Sequence, residues 1–146
     1  MKLNKEDLAY TAGIIDGEGC IKVYKVNAET INRPNNRYTL GIQVNMVDKK
    51  VVKWLHNNFG GYFYLHPANI KNHPNWRDSY RWYLQNQHCI KFLNLILKYL
   101  KIKQKQAIYA LEFLKLESGD IKRKHSYWKK FRILNKIGRL PQKEVK

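Results

Sequence analysis

A run of small and apolar residues at 11–19, with the sequence T-A-G-I-I-D-G-E-G, constrains the fold of this chain more than any other stretch. Asn4 is a good N-cap for a helix that leads into this run, and Asp7 three residues later suits the positive end of the helix dipole. Gly17 and Gly19 favour an abrupt end to that helix. The sequence therefore predicts a helix that begins near residue 4 and ends within this run.

One face of the predicted helix carries almost no side chains. Gly13 and Gly17 are four residues apart and share a face, although a glycine inside a helix costs about 1 kcal/mol relative to alanine. Close approach of a partner helix would offset this cost, and the simplest partner is a second copy of the same helix. The alternative is an ordinary helix that ends in a glycine-rich turn. The predicted dimer interface consists of Ala9, Ala12, Gly13, Asp16 and Gly17.

Two carboxylates, Asp16 and Glu18, lie at the end of the predicted helix, where a metal ion could bind. In a two-fold pair of these helices, the two copies of Glu18 would lie close together and form a shared or dinuclear metal site. Asp16 is expected to cap or orient the chain, and Glu18 is the predicted metal ligand.

The charge of the chain points to a polyanionic partner. Its 146 residues suit a single domain, and its 28 Lys and Arg against 11 Asp and Glu give a formal net charge of +17. Nucleic acid is favoured over a membrane surface, because no long basic helix with a bulky apolar face occurs at a terminus. The two cysteines and five histidines lack the spacing of a zinc site. Without a signal peptide or a transmembrane run, we expect a soluble protein in a reducing compartment, with no membrane partner and no organic cofactor.

Beyond residue 19 the hydrophobic pattern changes from helical to alternating, and it predicts two β-hairpins separated by a helix. The expected fold class is α+β, with a four-stranded antiparallel sheet and the helices on one face. The predicted strands are 21–26, 38–44, 62–66 and 79–86, with an irregular loop at 27–36, and the later predicted helices are 48–59, 90–100, 107–117 and a basic segment that ends at 138.

The other face of the predicted sheet is polar and nearly free of acids. An ordinary solvated face would carry more Glu and Asp, whereas a mixture of long donors, amides and aromatic rings can read base edges in a major groove. The predicted DNA-binding residues are Lys22, Tyr24, Arg37, Thr39, Gln43, Tyr64, His66, Arg81, Tyr83 and Gln85 on the sheet, with Lys101 and Lys105 beyond it.

The stretch 10–21, Y-T-A-G-I-I-D-G-E-G-C-I, resembles the LAGLIDADG motif of the homing endonucleases. Positions 12–19 fit the motif, while Thr11 replaces the usual leucine. The resemblance implies an αββαββα fold whose sheet is a saddle on double-stranded DNA, and the single copy of the motif implies a homodimer. Within one domain, 1–146, we expect a core of about 4–117, a C-terminal helical extension at 118–138 and a frayed tail at 139–146.

The resemblance also implies metal-dependent hydrolysis of DNA, with Mg²⁺ as the expected cofactor. Glu18 and the backbone carbonyl of Gly17 would bind the metal. The stretch 100–107, L-K-I-K-Q-K-Q-A, is similar to the basic turn before the last core helix of single-motif members, which implies that Lys103 belongs to the active site. Lys50 matches a position where the family often carries another basic residue.

One position departs from the family pattern. Members often carry an amide side chain beyond the second strand, near the water network of the active site, and Met46 aligns there. Methionine cannot replace an amide, so Gln43 or Asn45 is expected to do so.

The leading interpretation is an intron-encoded or free-standing homing endonuclease that makes metal-dependent double-strand breaks at a long, near-palindromic target as a homodimer. The alternatives are an RNA maturase or a non-cleaving DNA-binding protein with the same fold. A ribosomal or RNA-binding basic protein with an accidental motif is a third alternative.

Overall fold

A computed structural model describes residues 2–136 of the protein. Helices and strands follow one another in the predicted αββαββα order, with one short helix inserted between the first two strands and a 3₁₀ turn and two further helices after the last helix of that order. The elements are α1 (Lys5–Glu18), β1 (Gly19–Val26), α2 (Ala28–Ile31), β2 (Arg37–Met46), α3 (Lys49–Phe59), β3 (Tyr62–His66), β4 (Ser79–Gln85), α4 (His88–Ile96), a 3₁₀ turn (Leu97–Tyr99), α5 (Gln104–Leu114) and α6 (Ile121–Lys136).

The strands form one antiparallel sheet in the order β1-β2-β4-β3. The register places Gly19 opposite Val44 and Gln43 opposite Tyr83, so the end of α1 and the middle of the sheet are neighbours. Successive residues of a strand point to opposite faces, and this register therefore decides which side chains share a face.

The core lies between the sheet and the helices on one of its faces. Leu40, Ile42 and Val44 of β2 are fully buried, as are Ile15 of α1 and Trp82 of β4. Burial of these apolar side chains is the main favourable term in folding. The predicted fold class, a four-stranded antiparallel sheet with helices on one face, is confirmed.

Local signals at both ends of α1 explain where the helix begins and ends. The Asn4 side chain accepts the backbone N–H of Asp7 at 2.8 Å, and the Asp7 carboxylate accepts that of Asn4 at 3.1 Å, which forms a capping box. Gly17 lies inside the helix and does not end it. Gly19 is the C-cap. A glycine is needed there, because a Cβ would lie 2.8 Å from the backbone of Ile15.

The connections differ in detail from the sequence prediction. The loop predicted at 27–36 contains the one-turn helix α2, whose first N–H, at Ala28, is capped by the side chain of Asn36 at 2.9 Å. The basic interruption before the last core helix is shorter than expected, because Gln104 and Lys105 already belong to α5.

Helix α6 packs against the sheet at β1 and β2, so the core continues past residue 117. Phe131 is 1% exposed, and the hydroxyl of Tyr38 lies 2.6 Å from Nδ1 of His125. The side chain of Asn135 donates to the carbonyl of Ile21 at 3.1 Å. The end of the predicted basic segment, 137–138, and the predicted frayed tail, 139–146, lie outside the described residues.

Between residues 2 and 136, no helix is both long enough and apolar enough to cross a membrane.

Candidate active site and polar sheet face

The end of α1 is joined to the turn before α5 through the carboxylate of Asp16. Its oxygens accept the backbone N–H groups of Lys101 at 2.8 Å, Ile102 at 3.2 Å and Lys103 at 2.9 Å. A carboxylate that accepts several backbone N–H groups makes strong, charge-assisted hydrogen bonds. Asp16 therefore orients the turn, as the sequence predicts, and both of its oxygens are used in doing so.

Lys103 returns the contact with its side chain. Its ammonium group donates to the carbonyl oxygens of Ile15 at 2.8 Å, Asp16 at 3.1 Å and Gly19. These groups lie in or just past the last turn of α1, where a cation is favoured by the helix dipole, and the carbonyl of Ile15 also accepts the N–H of Gly19. Burial lowers the pKa of Lys103 from its usual value, while the charges around it, including Glu18, act in the opposite direction.

Glu18 differs from Asp16, two residues before it, because its side chain is exposed and makes no hydrogen bond in the described part of the chain. Within residues 2–136, no hydrogen bond or ion pair engages its carboxylate, and the one ion pair joins Arg123 to Asp120. The same residues contain no group of three or more His, Cys, Asp or Glu side chains that could hold a metal ion. A hard cation at Glu18 would thus need oxygen ligands from outside this chain, such as phosphate, water or a second copy.

The small-residue face of α1 is open to solvent. Ala9, Gly13 and Gly17 are exposed, and a Cβ added at Gly13 or Gly17 would meet no atom within 4 Å. Two members of the predicted interface need correction. Ala12 is fully buried, because it lies a quarter turn away from Gly13 and faces the core, and Asp16 is half-buried with its carboxylate bonded within the chain.

The other predicted catalytic residues lie on strand β2 and at the start of helix α3. Gln43 and Asn45 point to the polar face of β2, and Gln43 is directly opposite Cys20, one residue after the C-cap of α1. Met46 packs against the core, so the amides on the polar face, and not Met46, are available to the site. Lys50 has an exposed side chain in the first turn of α3, and no hydrogen bond joins it to Glu18 or Lys103 in the described part of the chain.

The sheet brings the predicted DNA-binding side chains together on one face. Alternation along each strand puts all ten sheet residues on the side away from the core, and Lys101 and Lys105 are exposed beyond it. Thr39 is the exception to the expected exposure. It is only 9% exposed, because it lies between larger neighbours and opposite Tyr24, so it offers little surface to a partner.

Aromatic and polar contacts order this face before any partner binds. Nη1 of Arg81 donates to the hydroxyl of Tyr64 at 3.3 Å, and its guanidinium lies 5.8 Å from the centre of that ring. Nζ of Lys22 lies 4.4 Å from the centre of the Tyr24 ring. Such cation–π contacts hold long basic side chains in place. Burial raises the pKa of Tyr24 and of Tyr83, so both phenols stay protonated.

The predicted DNA-binding set omitted several residues of the polar face, among them Cys20 and Tyr62. Cys20 is half-buried opposite Gln43, and Tyr62 is 62% exposed opposite Tyr83. The alternation of Tyr62 with Tyr64 and His66 would have identified Tyr62. Cys20 was missed because the predicted strand begins at residue 21, whereas β1 begins at Gly19 and Cys20 already alternates with Lys22 and Tyr24.

Two solved structures have folds similar to that of this chain over most of both lengths. One is the homing endonuclease I-CvuI in complex with its target in the presence of calcium, with 17% identity and a TM-score of 0.70 over 88% of this chain and 82% of that chain. The other is the archaeal intron-encoded homing endonuclease I-Vdi141I complexed with DNA, with 16% identity and a TM-score of 0.68 over 88% and 84%.

A third similar structure, I-SmaMI bound to an uncleaved DNA target in the presence of calcium ions, has 17% identity and a TM-score of 0.60. The matched region covers 91% of this chain but 42% of that chain. At such identities these likenesses show the fold alone. No curated protein sequence matches the chain significantly. The family model described as LAGLIDADG endonuclease matches residues 11–115. This chain therefore belongs to the LAGLIDADG endonuclease family.

Proposed function

We propose that the chain is a site-specific homing endonuclease, which cuts both strands of a long, near-palindromic DNA target as a homodimer with bound Mg²⁺. The observation that carries this proposal is that two neighbouring carboxylates at the end of α1 have different surroundings. Both oxygens of Asp16 accept backbone N–H groups of the turn before α5. Glu18 is exposed beside the open face of Gly13 and Gly17. Glu18 is thus placed to act on something outside this chain.

The open face of α1 supports the homodimer. Ala9, Gly13 and Gly17 follow each other at intervals of four residues and leave the backbone uncovered, so a second α1 can approach closely. About a two-fold axis, both copies of Glu18 would lie near the axis, one for each DNA strand. A two-fold protein also presents the same face to both halves of its target, which is why we propose a near-palindromic site.

The ligand set at the end of α1 fits a hard divalent cation. Glu18 and the carbonyl oxygen of Gly17 would hold it, and phosphate oxygens and water would supply the remaining ligands. When bound, Mg²⁺ supplies Lewis-acid stabilisation of the charge that develops on the scissile phosphate. The isolated carboxylate suits this cation better than zinc, which prefers a closed set of nitrogen and sulfur ligands.

Lys103 is proposed as the residue that positions this centre and adds positive charge beside it. Its three carbonyl partners fix the ammonium at the end of α1, so it cannot swing freely as a surface lysine does. There it stabilises the backbone that carries Gly17 and Glu18, and its charge favours a phosphate nearby. Lys50 and Asn45 are proposed to contact the scissile phosphate or its water network, and Gln43, the other amide considered for that role, is proposed to belong to the DNA-reading face.

The polar sheet face is proposed to bind the DNA. None of the residues on this face of the four strands is Asp or Glu, and the net charge of +17 favours a phosphate backbone. Arg37, Gln43 and Arg81 are proposed to read base edges, and the lysines to contact phosphates.

The experiment compares the wild type with Glu18→Gln on a target selected from a random duplex library. Binding is measured by gel shift, and cleavage is measured with Mg²⁺ and with EDTA. We expect Glu18→Gln to bind as tightly as the wild type and to cut neither strand, because the amide keeps the size of the side chain but loses the anionic ligand. Glu117→Gln, an exposed acid near the end of α5, is the control and should cut normally.

Cleavage by Glu18→Gln at the wild-type rate would overturn the metal assignment. A wild type that binds one duplex selectively but cuts nothing with Mg²⁺ would contradict the endonuclease and point to a DNA-binding protein. Selective binding of RNA alone would point to a maturase.

A further inference from the structure

A glycine at the centre of β2 lets two tyrosines close over the polar face. A Cβ on Gly41 would lie 2.6 Å from Cε2 of Tyr24, 2.7 Å from Cε2 of Tyr83 and 2.8 Å from the hydroxyl of Tyr83. Tyr24 comes from β1 and Tyr83 from β4, so the rings reach over β2 from both sides and meet edge to face, with centroids 6.3 Å apart and planes at 81°. Any larger residue at position 41 would push these rings apart.

The side chain of Gln43 lies next to this pair of rings. The hydroxyl of Tyr24 donates to Oε1 of Gln43 at 3.2 Å, and Tyr83 is directly opposite Gln43 on the neighbouring strand. Burial raises the pKa of Tyr24, so the phenol keeps its proton and can bond the amide through its O–H or through its oxygen. In either case the bond holds the Gln43 side chain beside Tyr24.

We infer that Tyr24 is a positioning residue for sequence recognition, because its hydroxyl bonds the Gln43 amide and holds that side chain in one place on the polar face, where it contacts a single base edge. This inference rests on the proposed function, in which the polar sheet face lies in a major groove. A side chain held in one place contacts one base pair, and its hydrogen bonds select among the edges that different base pairs present there.

The alternative to this arrangement is an unrestrained glutamine. Without the bond to Tyr24, the Gln43 side chain could move among several rotamers and reach the edges of more than one base pair. Its preference at that base pair would then be weaker, although its contact with the DNA would persist. The hydroxyl of Tyr24 thus matters for discrimination and little for affinity.

The first arm of the test needs no DNA. The side-chain amide signal of Gln43 is identified in the nitrogen–proton NMR spectrum of the full chain by its loss in Gln43→Ala. We expect Tyr24→Phe, which removes only the hydroxyl, to shift this signal. Tyr109→Phe removes a hydroxyl on α5, away from the sheet, and should leave it in place. An unchanged Gln43 signal in Tyr24→Phe overturns the inference.

The second arm measures affinity for the selected target and for all its single-base-pair variants. Gln43→Ala should lose its preference at one base pair in each half-site, by a factor between about 5 and 150, which is the range for one base contact. Tyr24→Phe should lose part of the preference at the same base pair, and the double variant should lose no more than Gln43→Ala. Tyr109→Phe should keep the wild-type preference.

Two results would overturn the recognition role. One is that Tyr24→Phe weakens all duplexes equally, and the other is that it changes preference at a base pair different from that of Gln43→Ala. Failure of the proposed function itself is recognised separately, because the wild type would then show no preference among duplexes while the first arm still reports on the Tyr24–Gln43 bond.

Discussion

Asp16 and Lys103 hold each other through their main chains: Oδ1 of Asp16 accepts the N–H of Lys103 at 2.9 Å, and Nζ of Lys103 donates to the carbonyl of Asp16 at 3.1 Å. The two residues are 87 positions apart, so this reciprocal pair joins the end of α1 to the start of α5. Glu18 follows two residues after Asp16. Its position therefore depends on a contact in which it takes no part itself.

Replacing Asp16 with Asn should loosen this junction. An amide has one acceptor oxygen in place of two and would turn an N–H group toward another N–H group, so at least one of the three backbone donors loses its partner. We expect the free energy of unfolding to fall by about 1–3 kcal/mol, measured by urea denaturation. Asp78→Asn is the control, because Asp78 accepts a single backbone N–H, from Ala68, in an exposed loop, and it should lose less. Equal losses of unfolding free energy in the two variants would show that the contacts of Asp16 stabilise the fold no more than an ordinary loop hydrogen bond does.

Lys103→Met should separate cleavage from binding. Methionine keeps most of the side-chain length but cannot donate to the three carbonyls, so the end of α1 loses these hydrogen bonds and the proposed metal site loses a neighbouring charge. Cleavage should fall at least tenfold, while affinity should change little, because one phosphate contact is a small part of the total. Single-turnover cleavage and gel shifts measure the two effects. Lys98→Met, on the exposed side of the 3₁₀ turn, should leave both unchanged. A parallel loss of affinity and cleavage would make Lys103 a plain backbone contact.

Gly13→Leu should yield a folded monomer. The open space around Gly13 accommodates a leucine within one chain, and leucine is a better helix former than glycine by roughly 1 kcal/mol, so folding should not suffer. Two such helices could no longer approach, and double-strand cleavage should be lost. Light scattering and circular dichroism measure assembly and folding, with Ser126→Leu on the exposed surface of α6 as the control for an added apolar side chain. A Gly13→Leu dimer as stable as the wild type would place the interface elsewhere.

The two cysteines should react very differently with iodoacetamide. Cys89 is fully buried, and burial raises the pKa of its thiol to about 12, so at pH 9 only about one molecule in a thousand carries the reactive thiolate there. Cys20 is half-buried on the polar sheet face. Mass spectrometry should therefore find the label at Cys20, and bound target DNA should slow its addition. Labelling of Cys89 at a similar rate in the folded chain would contradict the burial, and labelling of Cys20 unaffected by DNA would place the DNA on another surface.

Phe131→Ala should show that α6 is part of the core. The ring is 1% exposed, and truncation of a buried Phe to Ala typically costs 3–5 kcal/mol. Ile133, two residues later on the same helix, is 66% exposed, and its replacement by Ala should change the free energy of unfolding by about 0.5 kcal/mol or less. Urea denaturation of both variants makes the comparison. Similar small losses would mean that α6 detaches without cost to the rest of the fold.

Local rules account for the parts of the structure that the sequence predicted well. The capping box joins Asn4 and Asp7, which are three positions apart, and the alternation of Leu40, Ile42 and Val44 follows from the two-residue period of a strand. A pattern of this kind acts within a few residues, so it can be read from the chain directly. The αββαββα order follows from such patterns taken one after another.

The parts that the sequence did not predict depend on contacts between distant segments. Composition alone marks both Ala12 and Gly13 as small, but only packing decides that Ala12 faces the core. Thr39 has the polarity of a surface residue and is buried by the neighbours that the register gives it. The three carbonyl partners of Lys103 are 84 to 88 residues away from it in the chain, and no periodicity connects them.

The contact between Asn135 and the carbonyl of Ile21 has a consequence for solubility. Strand β1 is the outermost strand on its side of the sheet, and an uncovered outermost strand is a template for the addition of a strand from another molecule. Helix α6 lies against β1, and Asn135 occupies one of the backbone acceptors that such an intruding strand would use. Helix α6 thus protects the edge of the sheet from pairing with another molecule. A chain shortened before residue 121 would keep α1 and the four strands but would leave the edge of β1 uncovered and prone to aggregation.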